Sequence, residues 1–455
     1  MLLVGACAAP PTVAPPAPPE PEPTPEPVTE PPPEPVVEPE PDKSELRITI
    51  AAVGDMMLGT DFPDNRLPDD DGESFLADVT PFLEAADIAI GNLEGVLVDG
   101  GEPAKTCSNP QACYLFRSPT RYAEHFVNAG FDVMSVANNH ARDFGELGRT
   151  ETMQTLADAG ILHTGRVGDF ATLEIDGLSV AVLAYAVTRN SNMLLDYTYA
   201  EETVTRFAES HDIVIVSFHG GAEGRDVTHI PFDEEEYYGE PRGDVVRFAR
   251  MVVDAGADFV FGHGPHVVRG AERYEDRLIA YSLGNFATYY GISVAGIKGV
   301  APILIVTLDG NGRFVEGEIV STEQIRPAGP SVDEDGRALS LMRALSVQDF
   351  GEPGLLFQTD GKIVPQERTD VARREFDDET DGGPIVCTEP WFWEVESRIP
   401  TGLEAGSDAW RDQVEGAIYR AYHQPEHDYL ILIFPDELTE WCQSVDPWVF
   451  GPRRP

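Results

Sequence analysis

Aspartate, glutamate, asparagine and histidine recur in this chain at one kind of place, directly after short apolar runs. Val53-Gly54-Asp55 ends the run Ile48 to Val53, and Gly91-Asn92-Leu93-Glu94-Gly95 ends Ile88 to Ile90. Asn138-Asn139-His140 ends Val133 to Ala137, and His219-Gly220-Gly221 ends Ile213 to Phe218. His263-Gly264-Pro265-His266 ends Phe259 to Phe261, and Ser282-Leu283-Gly284-Asn285 ends Leu278 to Tyr281. These are the residue types that ligate hard or borderline divalent metals. One such cluster reads as a turn or a helix cap. Six in succession, where open α/β sheets bind ligands beyond the carboxyl ends of their strands, point to one metal-centred site.

Within that site the residue types suggest roles. Asp55 follows a glycine that permits close backbone approach, although a cap would also use an aspartate there. Glu94 can supply the charge of a bridging carboxylate, which Asn92 alone cannot. An asparagine of the Asn138-Asn139 pair offers an uncharged amide oxygen to a metal. His140 is placed to donate a proton, and Asp143, three residues on, can fix its tautomer and raise its basicity. His219, His263 and His266 are three of only ten histidines, all beside glycine or proline at strand ends, which suits imidazole ligation. Asn138, Glu223 and Asn285 are candidates to stand behind the ligands, with Glu223 also an acid–base candidate. Competing catalytic patterns are missing: there is no phosphate-binding lysine loop and no Gly-x-Ser-x-Gly elbow.

The elements that must position these groups follow a mixed rhythm. Arg47 to Val53 reads as a buried strand, Phe75 to Ala86 as a helix, Asp87 to Ile90 as a strand and Arg121 to Ala129 as a helix. Phe131 to Ala137 is a strand, and Gly145 to Ala159 a helix closed by Gly160. Thr172 to Ile175, turn Asp176-Gly177 and Ser179 to Tyr185 give a hairpin signal. Strand Ile213 to Phe218, helix Asp244 to Asp254 and strand Phe259 to Phe261 resume the βα alternation. Leu278 to Tyr281, Ile303 to Leu308 and Phe314 to Val320 read as further strands. The expected class is α/β with α+β mixing, in one domain over 46–326. Residues 327–455 form a C-terminal extension of unassigned role, with clustered aromatics from Trp391 to Trp448 and one clear strand at Tyr429 to Phe434.

Composition bounds the setting. The 42% apolar content supports a core, and a formal net charge of −47 repels nucleic acid and anionic membrane surfaces. Only four lysines occur among the 32 basic residues, which fits a GC-rich genome or a high-salt habitat. Val4-Gly5-Ala6-Cys7 looks like a lipobox, with Cys7 the residue to be acylated, but residues 1–7 are too short for a full leader. Either the true start lies upstream or the match is chance. Residues 8–45, rich in Pro and Glu, read as an extended tether and favour the former. The remaining cysteines, Cys107 with Cys113 and Cys387 with Cys442, suit two local disulfides of an exported protein. A four-cysteine zinc site lacks any Cys-x-x-Cys spacing. No stretch approaches the roughly 20 apolar residues of a membrane span.

Taken in order, several motifs resemble the poly-γ-glutamate capsule-synthesis family, CapA. They are Gly54-Asp55-Met56-Met57-Leu58-Gly59, Gly91-Asn92-Leu93-Glu94, Ala137-Asn138-Asn139-His140, Phe218-His219-Gly220 and the long run Gly256 to Val267, continuing to Tyr281-Ser282-Leu283-Gly284-Asn285-Phe286. That family is similar to calcineurin-like metallophosphoesterases, so the resemblance implies a two-sheet β-sandwich flanked by helices. It implies Asp55 as first metal ligand, Glu94 or Asn92 as the bridging one and Asn139 as the amide ligand. It further implies His140 as proton donor and His219, His263 and His266 as the other ligands of one or two divalent ions (Mn, Fe, Zn or Mg). The chain departs from the pattern in three places. Asp55-Met56-Met57 replaces Asp-x-His, Gly264-Pro265-His266 replaces His-Pro-His, and His219-Gly220-Gly221 replaces His-Trp-Gly.

The function expected from this resemblance is a surface-anchored, metal-dependent hydrolase of capsule (poly-γ-glutamate) or cell-envelope polymer metabolism. Two alternatives stand beside it: a non-catalytic accessory or scaffold of an envelope assembly machine, and an exported phosphoesterase for a small substrate. Expected partners are an anionic polymer or small phosphoester, the membrane through a lipid anchor, and capsule-synthesis machinery, but not nucleic acid. An acidic protein repels a polyanion, yet Arg117, Arg142, Arg225 and Arg269 lie close in sequence to the site loops, and at about 0.15 M salt screening confines the repulsion to distances under roughly 8 Å.

Overall fold

The computed structural model describes residues 43–104 and 114–366. Cys7, residues 8–42 of the tether, all four remaining cysteines and the Tyr429 to Phe434 strand therefore lie outside the described residues.

The first half alternates strand and helix: β1 (Arg47–Met57), α1 (Thr80–Leu83), β2 (Ile88–Leu93), the short pair β3 (Val96–Leu97) and β4 (Arg117–Ser118), α2 (Ala123–Asn128), β5 (Val133–Ser135), α3 (Gly145–Asp158) and β6 (Leu162–Thr164). Strands β1, β2, β5 and β6 run parallel in one sheet. The helix expected from Phe75 is shorter than its apolar spacing suggests. Asp70 instead accepts the N–H groups of Gly72 and Ser74 and holds a turn, and Pro81, which has no N–H to give, sits in the first turn of α1.

A second sheet follows with β7 (Ala171–Ile175), β8 (Leu178–Ala186), α4 (Tyr197–Ala208), β9 (Ile213–His219), the hairpin β10 (Glu235–Tyr237) and β11 (Glu240–Gly243), α5 (Val245–Asp254), β12 (Phe259–His263), β13 (Ala271–Tyr274) and β14 (Arg277–Ala280). Its order is β13-β14-β12-β9-β8-β7, with β8, β9, β12 and β14 parallel. Asp176 and Gly177 both take left-handed backbone, φ 49° and 84°, as the two-residue hairpin between β7 and β8 requires. Helix α4 was not evident from sequence; Asp196 caps it by accepting the Tyr199 N–H.

The chain then returns to the first sheet through β15 (Asn285–Thr288), β16 (Val300–Asp309), β17 (Phe314–Gln324), β18 (Pro330–Val332), α6 (Arg337–Phe350), β19 (Leu355–Phe357) and β20 (Lys362–Pro365). β20 pairs with β17 and β19 with β20, so strands on both sides of the expected boundary near Pro327 belong to one sheet. Among the described residues no helix is long and apolar enough to cross a membrane.

The two sheets face each other across one core. Ile48, Ile50 and Ala52 of β1 and Ile88 and Ile90 of β2 meet Ile213 and Ile215 of β9 and Phe259 and Phe261 of β12. The alternate residues point outward under helices. Ala51, Val53 and Ala89 pack with Leu83, Phe126 and Leu156, while Val214, Val216 and Val260 pack with Val204, Phe248 and Val252. Strands buried on both faces explain the nearly unbroken apolar runs. The architecture is thus the expected mixed α/β class, two main sheets flanked by helices.

Candidate metal centre

Strand register assembles the site. On β9, Ile213, Ile215, Ser217 and His219 share the inner face by alternation, and on β12 so do Phe259, Phe261 and His263. His263 and His219 are direct partners in the parallel ladder. On β2 the same alternation carries Ile88 and Ile90 forward to Asn92. In β1 it would fail, because Ile48, Ile50 and Ala52 are even-numbered and Asp55 is odd. The ladder absorbs the mismatch: Ala52 pairs with Ile90 but Asp55 with Asn92, so β1 carries one extra residue and Asp55 returns to the inner face. Gly54 lies in this bulge. A Cβ there would sit 2.0 Å from the Gly284 carbonyl oxygen, to which the Asp55 N–H donates at 2.9 Å.

Asp55 is fully buried at the centre. Asn92 Nδ2 donates to its Oδ1 at 2.8 Å, and Asn138 Nδ2 donates to Asn92 Oδ1 at 3.0 Å. Asn92 is therefore engaged at both ends of its amide and orients Asp55. On the other side His266 Nδ1 lies 3.0 Å from Asp55 Oδ2, His263 Nδ1 3.4 Å from Oδ1, and His219 Nδ1 3.9 Å from Oδ1. His263 Nε2 is held by Ser217 Oγ at 2.9 Å, which leaves Nδ1 facing His219 Nδ1 at 3.0 Å. His266 adopts left-handed backbone at φ 62°, uncommon for a residue with a Cβ, and Asn285 Oδ1 lies 2.9 Å from its Nδ1. Its Nε2 faces Glu94 Oε1 at 3.9 Å and Glu223 Oε2 at 3.8 Å.

Two overlapping ligand groups result, Asp55 with His219 and His263, and Asp55 with Glu94 and His266. The atoms of each lie within 4.8 Å of one another. Several lone pairs here have no donor. Both Glu94 oxygens, Asn139 Oδ1 and His219 Nε2 are buried without a hydrogen-bond partner among the described residues. Leaving buried acceptors unmade costs about 1–3 kcal/mol each, more when charged. A shared proton satisfies at most a pair of such atoms, whereas a divalent cation satisfies a whole set, so the donor set fits a metal.

Electrostatics point the same way. Burial by itself raises the Asp55 carboxyl, but hydrogen bonds and charge from His263 and His266 hold it well below the usual carboxylate range. Burial, and then the Asp55 charge, pushes Glu94 well above that range. Burial drives His219 well below the ordinary imidazole value. His266 meets a burial penalty too, yet Glu94, Asp55 and Glu223 push it up to about 9.

The expected proton donor stands beside this cluster. Asn138 Oδ1 accepts the His140 N–H at 3.0 Å, and His140 Nδ1 lies 2.8 Å from Asp143 Oδ2. The same Asp143 oxygen accepts the Phe116 N–H at 2.8 Å, and the Phe116 ring stacks on the imidazole at a centroid separation of 4.2 Å. Glu223 pairs with buried Arg242 at 2.9 Å. Sequence reasoning missed Phe116, Arg242 and Ser217. Ser217 alone carried a local signal, since it shares a strand face with His219 two residues on.

Facing sheets with helices outside, and a buried His/Asp cluster on their strand ends, define an α/β sandwich with a candidate metal centre. The family model described as bacterial capsule synthesis protein PGA_cap matches residues 49–290, more than half of the chain. The chain belongs to that family. It is 26% identical to the capsule biosynthesis protein CapA of Bacillus anthracis over 53% of its own length and 59% of that protein. It is 25% identical to the PGA biosynthesis protein CapA of Bacillus subtilis, over 52% and 63% respectively. The chain thus spans about three fifths of these relatives. Among solved structures, the 5'-nucleotidase precursor of Thermus thermophilus is similar with a TM-score of 0.36 at 13% identity, covering 66% of this chain and 58% of that one.

Proposed function

We propose that this protein is a metal-dependent hydrolase of capsule or cell-envelope polymer metabolism, acting on a phosphoester or γ-glutamyl amide bond. The observation that carries the reading is the juxtaposition of a metal-competent cluster with a dedicated proton-donor pair. Asp55, Glu94, Asn139, His219, His263 and His266 would hold one or two divalent ions. An ion there would supply Lewis-acid charge to polarise a phosphoryl or carbonyl oxygen. The chain's own residues supply the rest. Asp143 accepts from Nδ1–H of His140 and so leaves Nε2 to carry the mobile proton, which it gives to the leaving group. Phe116 holds the imidazole plane, and Asn92 and Asn285 fix Asp55 and His266. Burial of the cluster keeps its charges weakly screened. A purely structural metal has no use for a buried His–Asp pair at its margin, which favours the enzyme over the scaffold reading.

We further propose export and lipid anchoring through Cys7, supported by the lipobox-like Val4-Gly5-Ala6-Cys7 and the tether that follows it. The test is hydrolysis by metal-replete protein of phosphoester and poly-γ-glutamate substrates. Release of phosphate or glutamate that stops with chelation supports the reading. Absence of turnover on both, with loss of capsule on deletion of the gene, supports the accessory role instead.

A further inference from the structure

Beside the metal centre, three guanidinium groups converge on one carboxylate. Arg149 Nη2 lies 2.7 Å from Glu146 Oε1, Arg142 Nε 2.7 Å from the same oxygen and Arg166 Nη2 3.7 Å from Oε2. In a chain of net charge −47 this is an unusual local excess of positive charge. Arg149 is buried and also donates Nη1 to the Asn190 carbonyl at 2.8 Å, while Arg142 and Arg166 are part exposed, 35% and 41%.

Two further observations point to an anion. Glu146 and Arg149 lie in the first turns of α3, whose N-cap, Phe144, offers no side-chain acceptor to the free N–H groups of that end. Ser191 is only 2% exposed, and its Oγ has no hydrogen-bond partner among the described residues. Ser191 forms an antiparallel bridge with Arg166. Bridged residues place their side chains on the same side, so this hydroxyl and the Arg166 guanidinium share a face. A buried hydroxyl without a partner, beside three guanidiniums that share one carboxylate, is a donor set short of an acceptor.

We propose that Arg142, Arg149, Arg166 and Ser191 form an anion subsite at the start of α3, which takes a carboxylate or phosphate group. Glu146 is its resident competitor: burial raises that carboxyl, but Arg149, Arg142 and Arg166 hold it below the ordinary value. The subsite lies at the same end of the fold as the metal centre. Arg142 stands between His140 and Asp143 in sequence, and Asn192 N–H donates to the Gly165 carbonyl at 2.9 Å, tying the loop after β8 to the loop after β6. A substrate with anionic groups along its length would place one here and another at the metal. That last step rests on the hydrolase reading; anion binding at the subsite does not.

The experiment is calorimetric titration of the full chain, as purified and again after chelation, with inorganic phosphate and separately with glutarate. A salt-sensitive binding event that survives chelation is expected, and the stronger of the two probes identifies the group. Arg166→Met should weaken it by at least about tenfold, the worth of a charge-assisted contact. Ser191→Ala should weaken it less. Glu146→Gln should tighten it by removing the competitor. No chelation-resistant binding of either probe, or full affinity retained by the part-exposed Arg166→Met variant, overturns the proposal. Because binding is read on chelated protein, a failed hydrolase assay leaves this result intact, and the reverse holds too.

Discussion

One oxygen of Asp143 serves two partners at once, His140 Nδ1 at 2.8 Å and the Phe116 N–H at 2.8 Å. The arrangement fixes Nδ1 as the nitrogen engaged by the carboxylate, so the proton-donor role proposed for His140 falls to Nε2. His140→Ala should therefore lower turnover by roughly 10²–10⁴-fold, the range of a general acid. Metal content should stay nearly unchanged, since the ligand cluster is intact. Asp143→Asn should fall between the two, because it disturbs orientation and basicity only. Steady-state kinetics with metal analysis of each variant checks this, and full activity in His140→Ala would remove the proton-donor role.

The raised His266 value gives a pH signature in metal-free protein. Its folded pKa of about 9 exceeds the unfolded value of 6.5, so its stabilising contribution is complete below 6.5 and is lost as pH rises through about 9. The loss amounts to roughly 3 kcal/mol at 1.36 kcal/mol per unit. Glu94 is among the groups that raise it, so Glu94→Gln should move the decline to lower pH. Denaturant unfolding of chelated protein across pH 6–10 measures both effects. A flat profile would contradict the charge balance assigned to the cluster.

Gly54 tests the bulge that aims Asp55. A Cβ at that position meets the Gly284 carbonyl oxygen at 2.0 Å, a contact that the backbone must move to relieve. Gly54→Ala should destabilise the fold by about 1–3 kcal/mol, as overpacking does, and weaken metal binding together with it. Unaltered stability and metal affinity would show that Asp55 does not depend on this register.

Much of the centre was legible because its residues end apolar strands, and parallel strands buried on both faces write themselves as continuous runs. Asp55, Glu94, His219, His263 and His266, which the fold brings into two overlapping groups, all stand at such strand ends, and Asn138 and Asn285 fall in the same clusters. Other features depend on packing between distant segments. Nothing local marks Phe116 as the ring over His140, or Arg242 as the partner of Glu223. The amide of Asn92 could read as a ligand from sequence, and only the register across β1 and β2 shows it orienting Asp55. The shortening of α1 had a local cause, Pro81 and the Asp70 turn, that apolar spacing alone outweighed.

The most direct test of the central claim is titration of chelated protein with Mn²⁺ or Zn²⁺, comparing wild type with His219→Ala. Wild type should bind at least one ion per chain, and loss of an imidazole ligand should weaken binding by tenfold or more, on the order of the losses known for groups that merely support such ligands. Under the proposed function, hydrolysis of the phosphoester or γ-glutamyl substrate should return with the ion. If wild type binds no divalent metal, or if His219→Ala binds it equally well, the cluster around Asp55 is not a metal centre.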